Sequence, residues 1–470
     1  MTQRIETDIC VIGAGSGGLS VAAGAVQMGA RVVLIEGHKM GGDCLNYGCV
    51  PSKALIAAAK HAHTVRKGGF GIAPAEPVID YSAAKDHVHD VIATIEPVDS
   101  QERFEGLGVH VIREFGEFTS STEVKAGENT ISARRFVIAT GSRPFVPPIP
   151  GIESVPYLTN ESLFDLRDRP DHLIVIGGGP IGMEMAQAHV RLGSKVTVLE
   201  GMKALGKDDP EMAAIALERL RGEGIEIVEG AQVSEVSGEA GNITVKTDDG
   251  RSFNGSHLLM AVGRAVNVEK LNLEAAGIEY DRRGVKVDAS LRTTNKKVYA
   301  AGDVAGGLQF THVAGYHAGV LIRQLVLGMP AKTRTDHIPW ATYTDPEIAQ
   351  IGLTEAQARK AHGDKLEVAR FEFEENDRAI ASGRTTGLIK VMVFKGKPVG
   401  ASIVGADAGE LIGLWAYAIA NGHKMSAVAN MVAPYPTLGE VNKRAAGAYF
   451  SPRLFESDMV KRIVRIVQRF

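Results

Sequence analysis

Ile9-Cys10-Val11-Ile12-Gly13-Ala14-Gly15-Ser16-Gly17-Gly18 is a short apolar run that breaks on glycines, and Leu19 to Met28 behind it reads as a helix. Four apolar residues in a row suit a strand buried on both faces of a parallel sheet. Arg31-Val32-Val33-Leu34-Ile35-Glu36 then reads as a second strand ending on a carboxylate. Glycines at 13, 15 and 18 allow a tight turn and the close approach of a pyrophosphate to a helix N-terminus, and Glu36 is placed to accept from a ribose hydroxyl. A single stretch of this kind is weak evidence, but the chain repeats it. Leu173-Ile174-Val175-Ile176 leads into Gly177-Gly178-Gly179-Pro180-Ile181-Gly182, and Lys195-Val196-Thr197-Val198-Leu199-Glu200 follows. Gly13 to Glu36 and Gly177 to Glu200 both span 23 positions. The units also close alike, on Phe136-Val137-Ile138-Ala139-Thr140-Gly141 and on Leu258-Leu259-Met260-Ala261-Val262-Gly263. Two such units predict an α/β chain with two doubly wound domains and two bound dinucleotides.

Between the first fingerprint and its closing strand lies Gly41-Gly42-Asp43-Cys44-Leu45-Asn46-Tyr47-Gly48-Cys49-Val50-Pro51-Ser52-Lys53, which holds two of the three cysteines. Pro51 suits the first turn of a helix, and Ala54 to Ala59 continue it. Cys49 therefore stands at a helix N-terminus, where the dipole favours a thiolate, and Lys53 adds a cation one turn on. A low-pKa thiol with a second thiol in reach is suited to reversible disulfide chemistry. A structural disulfide would call for an oxidising compartment, and a zinc site for further ligands at the right spacing. Cys10 reads as a small core residue.

At 470 residues several domains are expected. Apolar residues at 44 % and charged residues at 23 % are ordinary for a soluble protein. A net charge of −3 leaves no basic footprint for nucleic acid. No signal peptide or membrane-spanning run is evident, so a cytoplasmic location and no membrane partner are expected. Residues 54 to 105 read as long helices on which His61, His63, His87 and His89 are solvated, and no metal site is expected. Val298-Tyr299-Ala300-Ala301-Gly302-Asp303 is a further strand ending on an acid, either a turn aspartate or a second contact to the first dinucleotide. After Pro339-Trp340 the pattern changes to strands of a separate antiparallel sheet, an apolar helix over Leu411 to Ala420, and Ala433-Pro434-Tyr435-Pro436-Thr437-Leu438-Gly439-Glu440 before a last helix.

Taken together, these stretches resemble the flavoprotein disulfide reductases, the family of glutathione reductase, dihydrolipoamide dehydrogenase and mercuric reductase. The resemblance covers essentially the whole chain, and the Gly41–Lys53 stretch is its most specific part. It implies two Rossmann-like domains, for FAD and NAD(P), with a C-terminal α+β dimerisation domain. The implied boundaries are 1–150 for FAD, 151–270 for the nicotinamide nucleotide, 271–340 for a central domain completing the FAD site, and 341–470 for the dimer interface. FAD would lie on Gly13, Gly15, Gly18, Glu36, Gly42 and Lys53, with Gly116 beside the adenine and Thr140 and Gly141 on the closing strand. Asp303 and Thr311 would line the ribityl and pyrophosphate. The nicotinamide nucleotide would lie on Gly177, Gly179, Gly182, Glu200 and Gly263, with Glu200 favouring NADH over NADPH. Cys49 would be the thiol against the flavin and Cys44 the one facing substrate, with Lys53 near flavin N5 and paired to Glu184. Tyr435 and Glu440 would enter the active site from the second chain of a homodimer.

Tyr435 departs from the thiol-substrate members, which carry a His there to move a proton on and off the interchange thiol. A phenol near its reference pKa of ~10 is a poor general base at neutral pH. A Tyr at this place matches mercuric reductase, although this chain has no vicinal cysteine pair near its end. The leading expectation is NADH-dependent reduction of a small acceptor, Hg²⁺ among them, through Cys44–Cys49. Dihydrolipoamide dehydrogenase and a flavin/disulfide redox sensor are the alternatives.

Overall fold

The computed structural model describes residues 3–469 and divides into two units. The first comprises the chain up to Gly177 together with Ala188–Leu199 and Gln232–Arg334. Its central sheet is built on the strand Gln3–Ile12. Val32–Ile35 and Asn129–Ile138 pair with that strand in parallel, so that Cys10 lies opposite both Val33 and Phe136. His110–Ile112 extends one edge, and Val298–Ala300 joins Phe136–Ile138 in parallel. Val32–Ile35 is buried at every position, as a strand covered on both faces requires. Antiparallel Glu123–Ala126 and Gly116–Ser120 complete the sheet. The helix Ser16–Gln27 begins three residues earlier than the apolar pattern alone suggests, because Ser16, Gly17 and Gly18 already form its first turn.

The repeat is carried into three dimensions. His172–Ile176 pairs in parallel with Lys195–Leu199 on one side and His257–Met260 on the other. Gly13 donates its N–H to Ile35 O at 2.8 Å, and Gly177 donates to Leu199 O at 2.9 Å. Both glycines have positive φ, +106° and +111°, and a Cβ on either would lie 2.4 Å from a carbonyl oxygen of its closing strand. These two positions require glycine. A small antiparallel sheet, Val233–Glu239, Asn242–Thr247 and Ser252–Gly255, lies in the chain between Glu200 and the second closing strand.

The region read as long helices, 54 to 105, is helical on either side of an interruption from Gly68 to Asp80. Helices run Cys49–Lys67, Tyr81–Asp99 and Gln101–Gly106. Residues 68 to 71 all have positive φ, three glycines and Phe70, and this left-handed run ends the first helix.

The second unit comprises Gly178–Gln187, Glu200–Ala231 and the chain from Thr335. Its antiparallel sheet has the order Pro339–Thr342, Glu347–Gly352, Lys397–Gly405, Leu388–Phe394, Leu366–Glu372. Trp415 and Phe373 are fully buried in its core, and the Trp415 indole donates to Asn442 Oδ1 at 2.8 Å. The expected helix over Leu411 to Ala420 divides into Ala408–Leu411 and Gly413–Ala420. Lys390 is buried on the sheet and its Nζ reaches Asp209 at 2.8 Å and both Glu211 and Glu355 at 3.0 Å. Lys390→Met removes the cation that these three carboxylates share and leaves buried Asp209 uncompensated. The expected loss is about 3 kcal/mol, seen as a lower midpoint in denaturant unfolding; an unchanged midpoint contradicts it.

Candidate active site

The redox stretch grows out of the first fingerprint. Gly41 and Gly42 both have positive φ, and Gly41 donates its N–H to Ala14 O at 3.0 Å. A Cβ on Gly42 would lie 2.7 Å from the Gly15 Cα, so the two glycine turns meet backbone to backbone. Gly42–Asn46 forms one helical turn carrying Cys44, and Cys49 is the first residue of the helix Cys49–Lys67. The helix thus begins two residues before Pro51 and places the Cys49 sulfur at its positive end.

The two thiols hydrogen-bond one another and are driven apart in acidity. The Cys44 thiol donating to Cys49 holds Cys49 down to about 6, helped by the Thr311 hydroxyl and the charge on Lys53. Thr311 Oγ1 lies 3.3 Å from the Cys49 sulfur. Cys44 is pushed upward, first by this shared hydrogen bond and then by burial. At neutral pH the pair therefore holds one thiolate, on Cys49, and one proton, on Cys44. That is the distribution thiol–disulfide exchange uses.

A polar network ties this loop to the strand ends, through residues that carry no motif. Asp43 pairs with Arg264 at 3.1 Å and accepts from Asn160 at 3.1 Å. The Arg264 guanidinium donates to Ser142 Oγ at 2.7 Å and to its carbonyl at 2.8 Å. Ser142 Oγ donates in turn to Asp303 Oδ2 at 2.5 Å. Burial raises the Asp303 carboxyl above its ordinary range. Beside it, the Gly302 N–H donates to buried His317 Nδ1 at 3.2 Å, and burial pushes that imidazole below its ordinary range. Asn160, Ser142, Arg264 and His317 were absent from the sequence reading. Arg264 alone had a signal, since it follows Gly263 at the end of the second closing unit.

The two acids of the repeat are held identically. Glu36 accepts from the Ala14 N–H at 2.6 Å and the His38 N–H at 2.7 Å. Glu200 accepts from the Gly178 N–H at 2.7 Å and the Met202 N–H at 2.8 Å. Thr140 and Gly141 sit at the end of the first closing strand, where the Thr140 hydroxyl donates to Asn267 O at 2.7 Å. Gly116 is buried in its strand, and a Cβ there would press on Ile35 and Val124 at 3.3 Å. Gly179 has open space where a Cβ would stand, Gly182 lies in the helix Pro180–Arg191, and Gly263 has φ +141°.

The first fingerprint fits a dinucleotide. The helix Ser16–Gln27 has glycine at its N-cap, no side-chain cap and no acid in its first turn. The helix Thr311–Leu325 also lacks a side-chain cap and a first-turn acid. Such ends leave N–H groups and a positive dipole for an anion.

Lys53 lies in the first unit, where its Nζ donates to Ser52 Oγ at 3.3 Å. Glu184 lies in the second and accepts from the Tyr343 N–H at 2.9 Å. Tyr435 is also in the second unit, 71 % exposed, in a cis Tyr435–Pro436 peptide. Its hydroxyl donates to Asp377 Oδ2 at 3.0 Å, a partner the sequence reading did not consider. That carboxylate raises the phenol above its ordinary range. Glu440 opens the helix Glu440–Phe455, and its carboxylate lies 3.4 Å from the Thr437 N–H. Among the described residues no group of three or more His, Cys, Asp or Glu is arranged to hold a metal ion.

Residues 7–318 match the family described as pyridine nucleotide-disulphide oxidoreductase, and residues 338–446 match its dimerisation domain. A mercuric reductase of Bacillus cereus is 34 % identical over 448 residues, covering 94 % of this chain and 71 % of that one. A dihydrolipoyl dehydrogenase of Bacillus subtilis is 32 % identical over 445 residues, covering 92 % of this chain and 96 % of that one. Among solved structures, a Cu(II) complex of the HOCl-induced flavoprotein disulfide reductase RclA of Escherichia coli superposes with a TM-score of 0.83 at 28 % identity, covering 93 % of this chain and 99 % of that one.

Proposed function

The chain belongs to the pyridine nucleotide-disulphide oxidoreductases, and from that premise we propose that it carries electrons from NADH through FAD and the Cys44–Cys49 pair to a soft, thiol-seeking metal ion, mercuric ion first. As a member of this family it is a flavoprotein oxidoreductase with two Rossmann-like nucleotide-binding domains and a C-terminal dimerisation domain. FAD, when bound, supplies the two-electron link between nicotinamide and disulfide. Gly13, Gly15, Gly18, Glu36, Gly42, Gly116, Thr140, Gly141, Asp303 and Thr311 are the residues we assign to it. Gly177, Gly179, Gly182, Glu200 and Gly263 are assigned to the nicotinamide nucleotide. The domain limits at 150, 270 and 340 belong to the same reading.

The observation that carries the choice of acceptor is Tyr435, a phenol raised by Asp377 where a thiol-exchange enzyme needs a base. One hydride equivalent opens the disulfide to the Cys44 thiol and the Cys49 thiolate. A soft cation displaces the Cys44 proton and binds sulfur, so no side-chain base has to hold that proton for a returning thiol. The balance is NADH + Hg²⁺ → NAD⁺ + Hg⁰ + H⁺. The mercuric reductase relative and the Cu(II) complex of the structural neighbour both support a thiophilic metal. The dihydrolipoyl dehydrogenase relative supports the competing reading. Lys53 and Glu184 are proposed as an ion pair beside the flavin. Tyr435 and Glu440 are proposed to act across a homodimer, consistent with the dimerisation domain and the exposure of Val432 and Tyr435. Steady-state NADH oxidation with Hg²⁺, lipoamide and glutathione disulfide in parallel tests the reading. Hg²⁺ is expected to sustain turnover, and turnover with neither Hg²⁺ nor Cu²⁺ would overturn it.

NADH is expected to exceed NADPH in kcat/KM by roughly tenfold or more, the size of one unfavourable charge contact. Glu200 at the strand end accepts from a ribose 2′-hydroxyl and repels a 2′-phosphate. Glu200→Gln should narrow the ratio chiefly by improving KM for NADPH; a preference for NADPH in the unaltered enzyme contradicts the assignment.

A further inference from the structure

Beyond the redox site, one element has an apolar face that no other element among the described residues covers. The helix Asp458–Val467 follows the helix Glu440–Phe455 after only Glu456 and Ser457. No residue of it is buried, although Met459 (70 % exposed), Ile463, Val464, Ile466 and Val467 are aliphatic. At 3.6 residues per turn, Met459, Val460, Ile463, Val464, Ile466 and Val467 fall on one continuous arc of about 160°. Asp458, Lys461, Arg462, Arg465 and Gln468 fill the opposite arc, and Arg469 falls on it in the turn that follows. Not one position crosses over. Leu454 and Phe455, half or more exposed at the end of the preceding helix, extend the apolar surface.

A helix this cleanly divided normally lays its apolar stripe on a core. This one carries four cations and one acid on the other side, in a chain whose net charge is −3. The cations are therefore a local excess. A protein groove would use the apolar arc and leave the basic arc idle in water. An anionic lipid surface uses both, with aliphatic side chains in the acyl boundary and Lys and Arg among the headgroups. No helix among the described residues is long and apolar enough to cross a membrane, and lying in the interface does not need one.

We infer that Asp458–Val467 is an interfacial helix that attaches the enzyme peripherally to an anionic membrane surface. The attachment is independent of the electron acceptor. It places the flavoenzyme where acceptors at or crossing the bilayer are reduced as they arrive. Flotation of the flavin-loaded full chain with phosphatidylcholine vesicles, alone and mixed with phosphatidylglycerol, tests it, with sedimentation velocity on the same samples. The chain is expected to float only with the anionic vesicles and to be released by salt. Ile463→Glu with Ile466→Glu should abolish flotation, and Lys461→Glu with Arg465→Glu should weaken it by roughly tenfold or more. Both pairs should leave the association state and NADH oxidation unchanged. Two results overturn the inference. One is no flotation of the unaltered chain. The other is a changed association state in the Ile463/Ile466 variant with no vesicle binding, which would assign the apolar arc to a second copy of the chain.

Discussion

Cys49→Ser is expected to lower NADH-dependent acceptor reduction on the order of 10³-fold or more, the scale seen when a reacting nucleophile is removed. Cys44→Ser should be comparably inactive with acceptors, yet the two variants should differ in colour. Cys49 is the first residue of a helix, hydrogen-bonded by the Cys44 thiol and by Thr311 and facing the charge of Lys53, and these hold it down to about 6. It is the sulfur that rests as thiolate. Cys49→Ser should therefore lose the long-wavelength absorbance of the two-electron-reduced enzyme, while Cys44→Ser keeps a thiolate beside the flavin. The depressed acidity also sets a pH window. The thiolate is fully present above about 7 and is lost as pH falls through about 6, so the acceptor step should decline by tenfold per unit in acid. A Cys44→Ser enzyme without the band, and a Cys49→Ser enzyme with it, would mean that the two thiols have been assigned the wrong way round.

Tyr435→His is expected to raise lipoamide or glutathione-disulfide reduction by roughly 10²-fold, the lower end of what a well-placed acid–base group contributes. In the wild type the phenol donates to Asp377, and that carboxylate holds it above its ordinary range, so phenolate is scarce at pH 7. An imidazole there titrates near neutrality and can hold the proton released by the interchange thiol. Reduction of the flavin by NADH should not change, because Tyr435 takes no part in hydride delivery. Stopped-flow flavin reduction and steady-state lipoamide turnover separate the two. A wild type already fast with lipoamide, and a His variant no faster, would make the protein a dihydrolipoamide dehydrogenase with another proton route.

How far the residues announced all this depends on the kind of signal each carries. Backbone constraints were legible. Gly13 and Gly177 can be nothing else at φ near +110° against a carbonyl, and runs such as Val32–Ile35 are apolar because both faces are covered. The redox stretch was legible because two thiols, a proline and a lysine at fixed offsets each have a chemical reason. The break after Lys67 also carried a signal, since Gly68, Gly69, Gly71, Pro74 and Pro77 fall within ten positions between the two helices. Least legible was the network of Asp43, Asn160, Ser142, Arg264 and Asp303. These are common polar residues, up to 260 positions apart, and only the fold brings them together. Tyr435 was conspicuous, but its partner Asp377 lies 58 positions earlier and gave no sign.

The most direct measurement is of products when the enzyme is offered Hg²⁺ and lipoamide together with limiting NADH. Elemental mercury and dihydrolipoamide are counted against NADH consumed. If Cys44 and Cys49 serve a soft metal ion and Tyr435 withholds the proton route to thiols, close to one Hg⁰ should appear per NADH and almost no dihydrolipoamide. Dihydrolipoamide accounting for most of the NADH, with little mercury released, would contradict the account.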